Sequence, residues 1–325
     1  MEKTTKVSVV MCTYNGKKFV REQLDSILKQ TYPIHEIIIQ DDCSSDGTWG
    51  VLQEYTAQYP FIQVFRNEKQ KGINANFFSA IERASGDFIA ISDQDDIWEP
   101  DKTERQVPYL NDFLLVAGIT SSFSGEKNVE VPFDGIARNH HLERLIYTNA
   151  IAGHTMMFRK SLIDKIPKYW LKDYGYDHLL ALVAVAHESL MYIPHLLVHH
   201  RRLSTSATYS KPLNYKKTLG NSIRYTIRTL KLFGKVRSQM ISHFQRMYLL
   251  LNAIEVDSQS KKNALKLAHY HSGNLWLTYW PLAWLCIRLR DKLFYRPEKN
   301  QFLAIFRALY FPISSSDYFR FGLNE

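Results

Sequence analysis

Three carboxylates stand within four positions of the sequence, in the stretch "ISDQDDIW". Asp93, Asp95 and Asp96 follow directly on the apolar run "GDFIA". Carboxylates held this close repel one another, and unless a cation neutralises them at least one is driven towards protonation. A hard divalent ion such as Mn²⁺ or Mg²⁺ accepts carboxylate oxygen and leaves positions open for phosphate oxygen. The spacing therefore favours a metal site, although any one of these side chains could instead cap the helix that begins near Pro100.

The elements that must position these carboxylates alternate between strand and helix patterns. Four short runs of apolar, β-branched residues predict buried strands, namely "KVSVVMC", "EIIIQ", "FIQVF" and "DFIAIS". Between them, periodic apolar positions predict helices from Lys17 to Gln30, from about Gly47 to Tyr59 and from Asn74 to Ala84. This order predicts an α/β fold, with a parallel sheet covered by helices on both faces.

Each predicted strand is followed by a polar cluster. These clusters are "TYNG", "DDCSSDG", "RNEKQKG" and "SDQDDIW". In open α/β sheets, ligands bind at the carboxyl ends of the strands. Turn formation alone can explain any one of the four clusters. Four clusters at one edge of a sheet together predict a binding site.

Composition places limits on the class of protein. The chain has 325 residues, and 45% hydrophobic content allows a full core and two domains. Its net charge of +9 is uneven, because residues 211–325 hold 19 Lys and Arg against 6 Asp and Glu, and residues 1–210 hold 22 against 26. Three cysteines without C-x-x-C spacing favour a reducing compartment, and the N-terminus shows no secretory signal. We therefore expect a cytoplasmic protein.

Four motifs resemble those of the family 2 glycosyltransferases with the GT-A fold. They are "VVMCTYNGKKFVREQLDSILKQTYP", "IIIQDDCSSDGT", "NEKQKGINANFFSAIERASGDFIAISDQDD" and "GYDHLLAL", and they agree in order and spacing over about residues 5–205. The form "SDQDDIW" followed by "PDK" looks most like rhamnosyltransferases that build bacterial surface polysaccharides such as O-antigen and capsule. The resemblance implies a Rossmann-like transferase of nucleotide-diphosphate sugars, with a mixed, mainly parallel sheet and a C-terminal helical extension.

The resemblance also implies roles for individual residues of a donor site. The donor-binding residues would be Thr13, Tyr14, Asn15, Asp41, Asp42, Asn67, Gly72, Asp93, Gln94, Asp95 and Arg201. Asp41 would bond the base, Asp95 would hold Mn²⁺ or Mg²⁺ directly, and Asp93 would be a second ligand nearer the ribose. Asp96 would support them.

Asp177, in "GYDHLLAL", matches the acid that would accept the proton of an attacking acceptor hydroxyl. It could also be only the cap of its helix, and His178 is an alternative base by type. On the acceptor side, the resemblance implies contacts from Trp98 and His154. A structural role for His154 in the core is an equal alternative.

One stretch departs from the family pattern. Related sequences carry a "YRQH"-like stretch whose histidine can approach the metal, whereas Leu203 occupies that position here, at the end of "HRRL". Arg201 and Arg202 could bind the diphosphate instead. His199 and His200 keep a metal role open.

We expect a catalytic domain over residues 1–208, with a nucleotide-binding half (1–100) and an acceptor-binding half (101–208). Residues 209–325 read as a basic amphipathic helical region, in which "WLTYWPLAWLCIRLRDKLFYR" is aromatic and basic. Such helices bind the interface of an anionic membrane. An ordinary helical bundle packed on the catalytic domain is the alternative.

Three other functions compete with sugar transfer. The net positive charge is compatible with nucleic-acid binding, but the sequence shows no recognised nucleic-acid-binding motif. We therefore expect no nucleic-acid partner. A nucleotidyltransferase would need a glycine-rich loop after its first strand, which "TYNGKK" is not. A non-catalytic scaffold is the third. We expect an inverting, metal-dependent glycosyltransferase that uses dTDP-rhamnose or a UDP-sugar and a saccharide or lipid-linked acceptor, peripheral at the inner face of the cell membrane.

Overall fold

The structure of the protein is a computed structural model. It describes residues 5–126, 129, 131, 139–170, 174–204, 219–294 and 300–322. The chain divides into two compact units, which we call the sheet unit and the helical unit. The sheet unit comprises residues 1–136, 151–184 and 189–212, and the helical unit comprises residues 137–150, 185–188 and 213–325.

The strands of the described residues all belong to one sheet. They are β1 (Val7–Thr13), β2 (Ile34–Asp41), β3 (Ile62–Arg66), β4 (Phe88–Ser92), β5 (Ile97–Trp98), β6 (Leu115–Phe123), β7 (Met157–Arg159) and β8 (Leu190–Arg201). Their order in the sheet is β3-β2-β1-β4-β7-β6-β8-β5. The first four run parallel, β7 is antiparallel to β4 and β6, β8 is parallel to β6, and β5 is antiparallel to β8.

The helices connect these strands and then form the C-terminal region. They are α1 (Val20–Leu28), α2 (Thr48–Gln58), α3 (Ile73–Arg83), α4 (Lys102–Gln106), α5 (Leu142–Leu145), α6 (Tyr176–Ala186), α7 (Leu219–Ala253), α8 (Gln259–Ser272), α9 (Leu275–Arg288), α10 (Arg290–Leu293) and α11 (Gln301–Ser314). The predicted order of four strands and three helices in the first hundred residues is confirmed, as is the helical C-terminal region.

The core of the sheet unit lies around β1. Val9 sits between Ile37 of β2 and Ala90 of β4, and all three are fully buried. Helix α1 covers this region with Leu24 and Ile27, which are also fully buried. Since a central parallel strand is buried on both faces, its sequence is a continuous apolar run rather than an alternating one. Because β1 to β4 run parallel, the polar residues that follow these strands lie at one edge of the sheet.

The helical unit has a core of its own. Tyr147, which follows α5, packs edge-on against Phe244 of α7, and its hydroxyl lies 2.8 Å from His271 Nε2 of α8. The fully buried carboxylate of Glu143 accepts hydrogen bonds from Asn263 Nδ2 (2.8 Å) and Lys292 Nζ (3.1 Å). Short helix α5 therefore packs with the C-terminal helices.

The expected boundary at 208/209 falls within residues 205–218, which lie outside the described residues. Across the helices that the structure describes, none combines the length and apolar character needed to cross a bilayer.

Candidate functional site

The loop after β1 is held to the loop after β4 by one side chain. Gln94 accepts a hydrogen bond from the Tyr14 N–H (2.9 Å) and donates one to the Tyr14 carbonyl (3.0 Å). Gly16 lies so close that a Cβ at this position would be 2.1 Å from Gln94 Oε1. In the same loop, Asn15 Oδ1 accepts from the Ser45 N–H (2.9 Å). Hydrogen bonds between side chains and backbone groups thus bring together Tyr14, Asn15 and Gln94, which are expected donor-binding residues.

Asp41, at the end of β2, is fully buried and has partners within the chain. Its Oδ1 accepts hydrogen bonds from the hydroxyls of Thr13 (2.9 Å) and Ser44 (2.5 Å), and its Oδ2 accepts from the Ser44 N–H (3.0 Å). Arg66 Nε lies 3.5 Å from the same Oδ2. The resemblance implies contact between Asp41 and the base, whereas in this structure both oxygens organise the loop.

Asp42 and Asn67 form a second buried network at the next position of the edge. Asp42 accepts from Asn67 Nδ2 (2.7 Å), from the Lys71 N–H (2.8 Å) and from the Gly72 N–H (2.9 Å). Asn67 also donates to Asn76 Oδ1 of α3 (2.8 Å). Because these groups hydrogen-bond to one another, they fix the loop before α3. Their expected role in nucleotide binding would then be indirect, through the loop that they hold in place.

The acidic stretch meets a histidine at the centre of the edge. His154 lies in the turn before β7 and is buried, with Nδ1 3.4 Å from Asp93 Oδ2 and 3.3 Å from Asp96 Oδ2. Asp96 is fully buried, and its Oδ1 accepts a hydrogen bond from the Arg201 N–H (2.9 Å). His154 therefore lies against the carboxylates, which differs from the expected contact with acceptor sugar.

Burial dominates the electrostatics of this cluster. Burial, with help from Asp93, raises the pKa of Asp95 to about 6. Burial also raises the pKa of Asp96, although His154 opposes that shift. For His154, burial alone would lower the pKa, but Asp96 and Asp93 outweigh it and the pKa is raised. The raised carboxyl pKa values show that ionised carboxylates are disfavoured in this buried cluster, and a bound cation would favour them again.

Asp93, Asp96 and His154 can each offer one ligand atom, and these atoms lie within 4.8 Å of one another. Asp96 Oδ2 and His154 Nε2 are buried, and neither has a hydrogen-bond partner among the described residues. Two carboxylates and an imidazole suit Mn²⁺ and are compatible with Mg²⁺. The residues therefore fit a divalent ion.

Asp95, expected as the direct ligand, is not a member of this set. The hydrogen bond from the Arg201 N–H fixes Asp96, and the Asp96 carboxylate lies beside His154. The sequence pattern could not reveal this, since it shows three neighbouring acids but not which carboxylate meets the histidine.

Arg201 supports the acidic loop rather than presenting a free guanidinium. Its Nε donates to the Asp95 carbonyl (2.8 Å), and its Nη2 forms an ion pair with Glu22. The guanidinium also lies 4.6 Å from the ring centroids of Phe19 and Phe123. The expectation that Arg201 binds the diphosphate does not match this arrangement, because its side chain is already engaged and only 11% exposed.

Trp98 does not lie where the expected acceptor contact requires it. The residue is 2% exposed and belongs to the core, so its ring does not reach a solvent-accessible surface. The ammonium group of Lys102, itself fully buried, lies 3.9 Å from the ring centroid and donates to Gln106 Oε1 (3.0 Å). Gln106 in turn donates to the Thr155 carbonyl (2.8 Å), beside His154. Trp98 and Lys102 therefore lie beneath the site.

Asp177 lies in the first turn of α6 and is half-buried. Its Oδ1 accepts a hydrogen bond from the His178 N–H (2.8 Å), one of the first N–H groups of the helix, which have no partner within the helix. Gly153, the residue before His154, approaches it closely, since a Cβ there would be 3.2 Å from Asp177 Cβ and 2.4 Å from the Tyr176 hydroxyl. The start of α6 is thus adjacent to the turn that carries His154.

Tyr176 is a residue of this site that sequence reasoning missed. Burial, and then Asp93 and Asp177, raise its pKa well above the ordinary value. Its ring stacks on Phe77 at 4.0 Å, and its N–H donates to Asn74 Oδ1 (3.0 Å). Its place directly before Asp177 in "GYDH" was the available signal. With its pKa raised, the phenol stays protonated and can act as a hydrogen-bond donor.

The histidines of β8 take different positions. His199 Nε2 lies 2.6 Å from Glu99 Oε1, away from the acidic cluster. The ring of His200 lies 4.6 Å from the ring of His154, measured between centroids. Of the two, His200 is therefore the one beside the candidate metal ligands.

Residues 8–166 match the protein-family model described as Glycosyl transferase family 2. That segment, just under half of the chain, is a family 2 glycosyltransferase domain. A Bacillus subtilis protein named as the teichuronic acid biosynthesis glycosyltransferase TuaG is 33% identical over 162 residues, which are 49% of this chain and 62% of TuaG.

Two further relatives match over shorter segments. The Escherichia coli UDP-Glc:alpha-D-GlcNAc-diphosphoundecaprenol beta-1,3-glucosyltransferase WfgD is 39% identical over 32% of this chain and 40% of its own length. The Shigella flexneri dTDP-rhamnosyl transferase RfbG is 37% identical over 31% of this chain and 36% of its own length. The chain thus spans less than two thirds of the length of each of these relatives.

Solved structures resemble this chain over nearly its whole length. Staphylococcus aureus TarS 1-349 in complex with UDP-GlcNAc has a TM-score of 0.58 at 15% identity, over 98% of this chain and 92% of that one. The mannosyltransferase PcManGT of Pyrobaculum calidifontis, in complex with GDP-Man and Mn²⁺, has a TM-score of 0.53 at 15% identity, over 99% and 89%. At this identity the likeness concerns the fold alone, and the predicted GT-A fold is confirmed.

Proposed function

We propose that this glycosyltransferase is inverting and metal-dependent, and that it moves a sugar from a nucleotide-diphosphate donor to a saccharide acceptor in bacterial surface polysaccharide synthesis. The observation that carries the proposal is the meeting of Asp93, Asp96 and His154 at the carboxyl edge of a GT-A sheet, with the start of α6 beside them. Acids concentrated at this edge suit the handling of a diphosphate through a cation.

The donor would lie along the loops after β1, β2 and β3. Tyr14 is 45% exposed, so its ring is accessible for stacking on a base. The buried networks of Asp41 and Asp42 hold the neighbouring backbone in place. The name of the Shigella relative supports dTDP-rhamnose as the first donor to test, and that of the Escherichia coli relative supports UDP-sugars. The donor half would be residues 1–100 and the acceptor half residues 101–208.

The candidate metal ligands are Asp93, Asp96 and His154, with Asp95 as a further carboxylate implied by the resemblance. A divalent ion bound there would neutralise charge that develops on the departing nucleotide diphosphate. The chain's own contribution is to hold these ligands. Arg201 fixes the Asp95 carbonyl and Asp96, and Gln94 fixes the adjoining backbone.

Asp177 is the candidate general base. In a direct displacement, the oxygen of the acceptor hydroxyl would attack the anomeric carbon. One of the carboxylate oxygens of Asp177 would accept the proton of that hydroxyl. Inversion follows because the sugar–phosphate bond breaks on the opposite face. Asp177 lies in the first turn of α6, where the helix dipole interacts favourably with a negative charge.

The acceptor is proposed to be a saccharide or a lipid-linked glycan. The Escherichia coli relative is named for an acceptor on diphosphoundecaprenol, and this supports a site of action in the cytoplasm, at the inner face of the cell membrane.

The test is a panel of nucleotide sugars with Mn²⁺ or Mg²⁺, scored for thermal stabilisation and for release of the nucleoside diphosphate. We expect one donor class to raise the melting temperature in the presence of metal and to be turned over. If no nucleotide sugar stabilises or is consumed by the protein with either ion, the proposed function is wrong.

A further inference from the structure

We infer that the helical unit binds the interface of an anionic phospholipid bilayer through an exposed aromatic surface on α9 and α11. This aromatic surface comprises Trp276, Leu277, Trp280, Trp284, Phe302, Leu303, Ile305 and Phe306. This inference extends the proposed position at the inner face of the cell membrane, because it names the residues and the kind of lipid that would bind. It does not depend on sugar transfer, so the two proposals can fail separately.

The exposure of these side chains is exceptional for a soluble domain. Trp276 is 91% exposed, Phe302 is 85% exposed and Trp280 is 72% exposed. Single exposed apolar side chains are ordinary, but a contiguous group of large aromatic ones on adjoining helices marks an interaction site.

The spacing makes the group one face rather than scattered residues. Trp276, Trp280 and Trp284 follow one another at intervals of four along α9, and therefore share a side of the helix. The buried residues of α9 are Leu282, Ala283 and Cys286.

Helix α11 repeats this pattern. Phe302 and Phe306 stand four residues apart and are exposed, whereas Ala304, Ala308 and Phe311 are buried. The two helices pack together, and the Tyr279 hydroxyl donates to the Leu309 carbonyl (3.1 Å).

Charge and side-chain type favour a lipid interface over a protein partner. Neither α9 nor α11 contains an acidic residue, and the exposed Arg288 ends α9. The surrounding sequence, residues 211–325, has 19 Lys and Arg against 6 Asp and Glu. Indole rings settle at the headgroup boundary of a bilayer, and basic residues are attracted to anionic headgroups. Helices with an aromatic, apolar face and basic residues lie in the plane of the membrane interface, which is the binding mode that we infer for this face.

The experiment is flotation of the full chain with vesicles of phosphatidylcholine alone and of phosphatidylcholine with phosphatidylglycerol, at low and high salt. The test variant combines Trp276→Ser, Trp280→Ser and Trp284→Ser. Its matched control is Leu249→Ser on α7, in the same unit, where Leu249 is 58% exposed. Circular dichroism and the melting temperature verify that each variant is folded.

We expect the wild type and Leu249→Ser to float with the phosphatidylglycerol vesicles, and less so at high salt. The triple variant should bind them at least about tenfold more weakly, because three aromatic contacts are removed. Its donor hydrolysis without vesicles should be unchanged.

Three outcomes would overturn the inference. The first is a wild type that stays in solution with both vesicle types. The second is equal binding by the triple variant. The third is a wild-type dimer, seen by analytical ultracentrifugation, that the triple variant converts to a monomer without any vesicle binding, since the aromatic surface would then join two copies of this chain.

Discussion

The side-chain amide of Gln94 pairs with both the N–H and the carbonyl of Tyr14, at 2.9 and 3.0 Å. An amide that satisfies a backbone N–H and C=O together acts like a short piece of β-ladder. It therefore joins the acidic loop after β4 to the exposed ring of Tyr14 on the loop after β1. Together with the pairing of β1 and β4, it links the two parts of the candidate donor site, the metal ligands and the base contact.

Replacing Gln94 with Ala should raise the KM for the nucleotide sugar more than it lowers kcat. Two hydrogen bonds are lost, and the destabilisation should be about 1–2 kcal/mol. Gly16→Ala should act in the same direction, because the added Cβ would displace Gln94 Oε1. Gln53→Ala, at an exposed position of α2, is the matched control. An unchanged KM in both site variants would show that the pair does not position the donor.

The metal ligands can be assigned by comparing Asp96→Asn with Asp95→Asn. If Asp93, Asp96 and His154 form the site, Asp96→Asn should weaken Mn²⁺ binding by more than about tenfold, because a charged ligand is removed. Asp95→Asn should weaken it much less. Titration calorimetry with Mn²⁺ alone measures both, and Asp112→Asn at an exposed position serves as control. The reverse ranking would assign the metal to Asp95, as the family resemblance implies.

Sequence patterns predicted the sheet and its edge well because both follow from local information. The apolar run of β1 and the turn residues after each strand are contiguous, so the order of elements and the polar edge could be inferred. The partners of each polar side chain are not local. His154 reaches Asp96 from 58 positions along the chain, and Arg201 reaches it from 105 positions. No periodicity records such meetings.

Contacts between residues far apart in the sequence also explain why the expected roles of Trp98 and Arg201 differ from the structure. Trp98 stands beside the acidic stretch in sequence, yet it turns into the core against Lys102. Arg201 carries a charge suited to phosphate, yet Glu22 and the Asp95 carbonyl engage it. Residue type indicated which polar side chains lie near this edge but not the direction in which each of them points.

Lys102→Met should make the protein more stable at pH 7, by about 1–3 kcal/mol. The ammonium group is fully buried, burial lowers its pKa to about 7, and no carboxylate lies within ion-pair distance among the residues that the structure describes. Methionine keeps the contact with Trp98 without a buried charge. Lys29→Met, at an exposed position of the chain, is the control.

The pH dependence provides a second check on Lys102. A lysine whose pKa is lowered on folding contributes its full stability above its unfolded pKa of 10.5, and this is lost as the pH falls towards 7. The advantage of Lys102→Met over the wild type in urea unfolding should therefore shrink between pH 7 and pH 9. A variant less stable than the wild type at pH 7 would mean that the ammonium group stabilises the site.

His271 should make the helical unit sensitive to acid. Burial, followed by Arg237 and His243, lowers its pKa to about 3 from 6.5. A histidine with a lowered pKa contributes its full stability above 6.5 and loses it as the pH falls towards 3. Between pH 6.5 and pH 5 the free energy of unfolding should drop by about 2 kcal/mol from this group.

Urea unfolding at both pH values measures the drop. His271→Gln should reduce it, because glutamine can still bond the Tyr147 hydroxyl but does not titrate. His269→Gln, at an exposed position of the same helix, should leave it unchanged. An equal drop in His271→Gln and the wild type would assign the acid sensitivity to other groups.

The central claim is that this edge of the sheet is a donor site at which Asp177 removes the acceptor's proton. The most direct measurement compares Asp177→Asn with the wild type for donor affinity by calorimetry and for transfer under single turnover, with Asp164→Asn, at an exposed position, as control. We predict unchanged donor affinity and transfer slower by about 10²–10⁴-fold, the usual contribution of a general base. Transfer at the wild-type rate, or loss of donor binding along with transfer, would contradict the account.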